Sequence, residues 1–122
     1  MKCVVAILLM AFAQIGSAGQ LTDARLTLAK WGFAHCLQTY SKDASTKHEA
    51  GLSGGGYFQF GSHDDPAAYA NVKRYVQEKY PLFVGSAQET NEEMTLTGCL
   101  DLYSSPQYSK FIKTQDEFVG NS

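Results

Sequence analysis

The chain has 122 residues, 44% of them hydrophobic and 18% charged, with eleven glycines and three prolines. That is material for one globular domain, and it excludes a two-domain enzyme, a collagen-like rod and a disordered polymer. Ten Lys and Arg against twelve Asp and Glu leave a net charge of −2, which offers no broad positive field to a phosphate backbone and argues against nucleic acid as a partner.

Met1-Lys2 supplies one positive charge, Cys3 to Ala13 is an unbroken apolar run, and Gly16-Ser17-Ala18 follows the polar Gln14. A charged start, a short apolar stretch and small residues make up a secretory signal peptide, with cleavage expected after Ala18. The run falls well short of the roughly 20 apolar residues a spanning helix needs, so no membrane span is expected. Residues 1–18 are therefore read as a leader and 19–122 as a single exported domain of net charge −3 once Lys2 is lost. Cys3 leaves with the leader, and Cys36 and Cys99 remain. Two thiols in an oxidising compartment have one intramolecular pairing, and a Cys36–Cys99 disulfide is expected.

The fold class expected is all-α, a compact bundle of about four to five helices with that one bridge. Leu26, Trp31, Phe33, Ala34, Cys36, Leu37 and Tyr40 form a broad stripe from Thr22 to about Ser41, as in a central helix packed on several sides. His48 to Gly61 is ambiguous. Gly51, Gly54, Gly55 and Gly56 each disfavour a helix by up to about 1 kcal/mol, yet Tyr57, Phe58 and Phe60 call for burial. A helix with a glycine face is favoured over a turn leading into a strand at 57–60. Asp64-Asp65-Pro66 reads as an N-cap with proline at the first helical position, Tyr69, Val72, Val76 and Tyr80 continue that helix, and Pro81 is expected to stop it. Beyond the polar Gly85–Glu93 stretch, where Glu92-Glu93 is placed to cap, Leu96, Cys99, Leu100 and Tyr103 lie at i, i+3, i+4 and i+7. Ser105-Pro106 repeats the cap signal before a short last helix through Tyr108, Phe111 and Ile112, which is expected to fray into a mobile tail towards Gly120.

Catalytic patterns are weak. Gly51-Leu52-Ser53-Gly54-Gly55 fits the G-x-S-x-G nucleophile elbow, but no strand precedes Ser53. His35 adjoins Cys36, and neighbours on a helix point about 100° apart, so the two cannot act as a pair. His48 and His63 have no metal-ligand spacing. No catalytic residue, metal or cofactor is expected, and a binding role remains. Tyr57, Tyr75 and Tyr108 are candidate surface anchors for an interface.

Trp31-Gly32-Phe33-Ala34-His35-Cys36-Leu37, Tyr57-Phe58-Gln59-Phe60-Gly61 and Cys99-Leu100-Asp101-Leu102-Tyr103 together resemble the immunity proteins that neutralise type VI secretion amidase effectors, specifically the fourth amidase immunity family. The resemblance covers about Leu21 to Phe111. One departure is Gly54-Gly55-Gly56, where the family generally has an alanine-rich helix. The resemblance implies a periplasmic, all-helical homodimer that plugs the active-site groove of a cognate peptidoglycan amidase effector. A rigid projection into such a groove excludes substrate without reacting with it. Two connections could project: Gly61–Asp65, with Asp64 and Asp65, and the acidic Gly85–Glu93 loop, with Gln88, Glu89, Asn91 and Glu92. The second is favoured, with the Asp65–Tyr80 helix and its Tyr69 as supporting surface. The rival reading is another exported helical binder, a lysozyme-type inhibitor or a small carrier of an apolar ligand.

Overall fold

The computed structural model describes the backbone of residues 2–120 and the side chains of residues 18–120. The expected leader, residues 1–18, lies outside the described side chains except for Ala18. Five helices follow one another: α1 (Lys2–Tyr40), α2 (Ala44–Phe60), α3 (Pro66–Phe83), α4 (Thr95–Ser104) and α5 (Pro106–Lys113), with a 3-10 turn at Asp116–Phe118. Among the described residues there is no strand, only two isolated bridges, His63–Val119 and Ser86–Glu93. The fold is all-α.

Helix α1 is the longest and packs against all four others, which accounts for its broad apolar stripe. Its buried residues meet those of the other helices in one core, centred on Leu28, Cys36, Val72, Val76, Cys99, Leu102 and Tyr108. Cys36 and Cys99 are bonded, with their Cα atoms 5.8 Å apart and neither sulfur exposed. The bridge pins the C-terminal end of α1 to α4. Two sequence caps are present as hydrogen bonds: Asp65 Oδ1 accepts from the Ala67 N–H at 2.9 Å, and Ser105 Oγ accepts from the Tyr108 N–H at 3.2 Å. A third, Asp43, receives the Thr46 N–H at 2.9 Å and starts α2. Each satisfies a donor that the first helical turn leaves without a partner.

Helix crossings depend on two glycines. A Cβ at Gly32 would overlap the Tyr108 hydroxyl and come within 2.8 Å of Val72 Cγ1, so only glycine lets α3 and α5 close on α1 there. At Gly98 a Cβ would lie 3.0 Å from Val84 Cα, which brings α4 against the end of α3. Gly32→Ala gains helix propensity but overpacks the crossing and disturbs the 2.8 Å bond from Tyr108 Oη to the Ala29 carbonyl. The expected net loss is about 2 kcal/mol, read as a lower urea midpoint with an unchanged slope.

Several expectations are corrected. Helix α3 runs past Pro81 to Phe83. Proline removes only the bond to the exposed Gln77 carbonyl, while the Val84 N–H still closes onto Tyr80 at 3.0 Å and Phe83 packs on the core. Residues 44–60 form a helix without a strand at 57–60, but Phe58 and Phe60 are 58% and 80% exposed rather than buried. In α4 the inward face is Gly98, Cys99 and Leu102, while Leu96 and Leu100 point outward. Glu92 and Glu93 do not cap α4, whose N-cap Met94 makes no side-chain bond. Tyr108 is not a surface anchor but a buried core residue, its hydroxyl held by Ala29 and its pKa pushed far up by burial. The chain after α5 is tied down as far as Gly120. Arg25 pairs with Asp116, the Asp64 N–H donates to Phe118 at 2.9 Å, and the Gly120 N–H donates to Ser62 at 2.9 Å. A frayed tail was expected because none of these partners is close in sequence.

Candidate functional site

The connection between α3 and α4 is a stiff projection. Hydrogen bonds close its base, from the Met94 N–H to the Gly85 carbonyl and from the Ala87 N–H to the Glu92 carbonyl, both 2.8 Å. At the tip the Asn91 N–H donates to Ala87 at 2.8 Å, and Asn91 turns the chain with φ 60, a left-handed conformation that asparagine tolerates better than most residues. Gln88, Glu89, Thr90, Asn91, Glu92 and Glu93 are all exposed. Three carboxylates with no basic residue between Gly85 and Glu93 make this tip acidic. Because the backbone bonds to itself, the hairpin can meet a partner with little further ordering, which is the condition for a tight rigid contact.

The Gly61–Asp65 connection has a different character. Asp65 is occupied as the α3 cap, and the Asp64 backbone is bonded to Phe118, so the segment is part of the tail's anchorage. Tyr69 is buried, edge-on to Trp31 at 5.0 Å and tilted against Phe58 at 4.9 Å, and holds α1, α2 and α3 together. Asp64 and Asp65 stand at the N-terminal end of α3 and the hairpin at its C-terminal end. With 18 residues between them, the separation is about 27 Å. The residues singled out from sequence thus divide into two sets at opposite ends of one helix.

The other candidate groups are held structurally. His35 stacks on Trp31, with centroids 5.3 Å apart, and burial lowers its pKa. His63 is buried beside the tail with neither ring nitrogen hydrogen-bonded, and burial lowers its pKa against the opposing pull of Asp116 and Asp64. Ser53 sits mid-helix on α2, exposed, not on a strand-to-helix turn. Among the described residues no three His, Cys, Asp or Glu side chains are grouped to hold a metal ion, and no helix is long and apolar enough to cross a membrane. The aromatic residues mostly pack against one another, some stacked, as Tyr40 is on Tyr80 at 3.8 Å, and others tilted or edge-on, and the larger clefts open at the surface.

The Tai4 family model, described as type VI secretion system amidase immunity protein, matches residues 27–112. This chain belongs to that amidase immunity family. No curated protein and no solved structure matches the chain. The family match runs from within α1 to the end of α5, and so takes in both cysteines, Gly32, Gly98 and the whole acidic hairpin.

The helix with a glycine face expected between His48 and Gly61 is present in α2, but part of that face turns outward, and a second feature escaped sequence reasoning. On the outer side of α2, Leu52, Gly55, Gly56, Gln59 and Phe60 share a stripe at i, i+3, i+4, i+7 and i+8. A Cβ at Gly55 or Gly56 would meet nothing within 4 Å, so no neighbour within the fold explains glycine there. The usable signal was the helix cost of these two residues, which the fold itself does not offset. The second feature is a cleft between α3 and α5 beside Tyr75, one of the tyrosines flagged as an anchor. No sequence pattern marks it, since it arises from how far apart two helices stand.

Proposed function

We propose that this immunity protein is exported to the periplasm, losing its leader after Ala18, and blocks a cognate peptidoglycan amidase effector by lodging the Gly85–Glu93 hairpin in the enzyme's active-site groove. The observation that carries the reading is the hairpin itself, a backbone-bonded acidic tip built from Gln88, Glu89, Asn91 and Glu92. It fills space and supplies charge without a reactive group, so inhibition is by occlusion. Helix α3 supports it from behind, and the disulfide keeps α4, on the hairpin's other flank, from shifting. Export is supported by the charged, apolar and small-residue order of residues 1–18 and by the oxidised Cys36–Cys99 pair.

The test is reconstitution. The chain is expected to co-purify with an amidase from its own cell and to stop that enzyme's digestion of peptidoglycan at equimolar amounts. Digestion that continues at full rate in the presence of excess immunity protein would refute the reading. Mature protein recovered from the periplasm should begin at Gly19.

A homodimer is part of the same proposal. Its best-supported surface is the outer side of α2, where exposed Leu52 and Phe60 flank the two open glycines and a second helix could approach closely. Phe60→Glu, at a position 80% exposed, is expected to leave the helical circular-dichroism spectrum unchanged and to shift the mass seen by light scattering from dimer to monomer. A dimer that survives this change lies on another face.

A further inference from the structure

The α3–α5 cleft has a volume of about 440 Å3, against 280, 220 and 210 Å3 for clefts elsewhere on the surface. It falls within the range of small-molecule sites, towards the lower end. Tyr75 and Phe111 form one wall, their rings stacked with centroids 4.3 Å apart. Phe83 and Leu82 extend the apolar lining, and Leu82 is 75% exposed, so the cleft is open to solvent along that side. Two cations line the same cleft. Lys79 Nζ lies 5.9 Å from the Tyr75 ring centroid, and Lys110 precedes Phe111 on α5. No acidic residue lines the cleft. The one ion pair among the described residues joins Arg25 and Asp116 elsewhere, so neither lysine has a carboxylate partner.

An apolar surface with two unneutralised ammonium groups, on a chain whose net charge is negative, is complementary to a molecule that is greasy along its body and anionic at one end. We propose that this cleft binds a single-chain apolar carboxylate of the fatty-acid class. The alkyl body lies along Tyr75, Phe111, Phe83 and Leu82, and the carboxylate lies between Lys79 and Lys110. A carboxylate has two oxygens, and each can accept from one ammonium. The size of the cleft suits one chain and not the two of a phospholipid. This site lies on the flank of α3 and stands independently of amidase binding.

Calorimetric titration of the purified protein tests it, with decanoate, 1-decanol and decyltrimethylammonium as probes, all kept monomeric. Decanoate is expected to bind saturably at one per chain, with the alcohol and the cation at least about tenfold weaker. Lys79→Gln combined with Lys110→Gln should weaken decanoate about tenfold and leave decanol unchanged. Leu82→Ser touches an exposed residue outside the core and should weaken both. Equal affinity for acid and alcohol, or decanoate binding indifferent to the double lysine change, would overturn the proposal. So would binding confined to phosphatidylglycerol vesicles with none of monomeric decanoate, which would indicate a membrane surface instead.

Discussion

Replacing Cys36 and Cys99 together by alanine is expected to lower the unfolding free energy by about 4 kcal/mol and the thermal midpoint by about 20 °C. The bridge closes 63 residues of chain, and the chain-entropy relation for a loop of that size gives the 4 kcal/mol. Alanine is the right replacement because both sulfurs are fully buried, and a serine hydroxyl there would add its own desolvation penalty. The effect is large for a domain of this size, whose total stability is about 5–15 kcal/mol. Thermal melts followed by circular dichroism, for the variant and for the parent with and without reductant, read it directly. Parent under reductant and variant should melt together, and the oxidised parent well above both. Coincident melts for all three would mean that packing between α1 and α4 holds the bundle without the bond. The same difference implies that the chain is markedly weaker wherever thiols stay reduced, and stability then favours the oxidising side of a membrane.

How much of this was legible beforehand depends on where the information sits. Asp65-Pro66 and Ser105-Pro106 were readable because a cap bonds two or three residues ahead in sequence. The disulfide was readable because only two cysteines, Cys36 and Cys99, lie beyond residues 1–18. The face of α4 was not. In ten residues it carries Leu at 96, 100 and 102, so two apolar stripes compete, one through Leu96 and Leu100 and one through Gly98 and Leu102. Both contain Cys99. Gly98 decides between them, since the backbone there packs close against Val84 and Tyr80 with no room for a side chain, and that is a tertiary fact. The fate of the tail and the depth of Tyr108 depend likewise on distant partners, Arg25 and Asp116 being 91 residues apart and Tyr108 and Ala29 79, and the exposure of Phe58 and Phe60 depends on which face of α2 meets the other helices. Of the candidate site, the hairpin's position and charge were legible, while its internal bonding and its distance from Asp64 and Asp65 were not.

The hairpin proposal predicts that Glu89→Lys with Glu92→Lys weakens amidase inhibition by about 100-fold and leaves the thermal midpoint unchanged. The two expectations rest on different atoms. The loop's shape is held by backbone bonds from Ala87, Asn91 and Met94, none of which uses a glutamate side chain, so the fold should not register the change. The partner should, because reversing two charges at a desolvated contact replaces attraction by repulsion, costing about 1–1.5 kcal/mol each at the conservative end. Part of the loss should appear in the association rate and should shrink as salt is added. A second variant separates charge from shape. Asn91→Val keeps every charge but puts a β-branched residue at φ 60, which strains the turn by about 1–2 kcal/mol and should loosen the tip, weakening inhibition without changing its salt dependence. If the double charge reversal and Asn91→Val both inhibit as the parent does at low salt, the hairpin is outside the amidase contact. If only Asn91→Val fails, the tip acts through its outline alone and the carboxylates serve solubility.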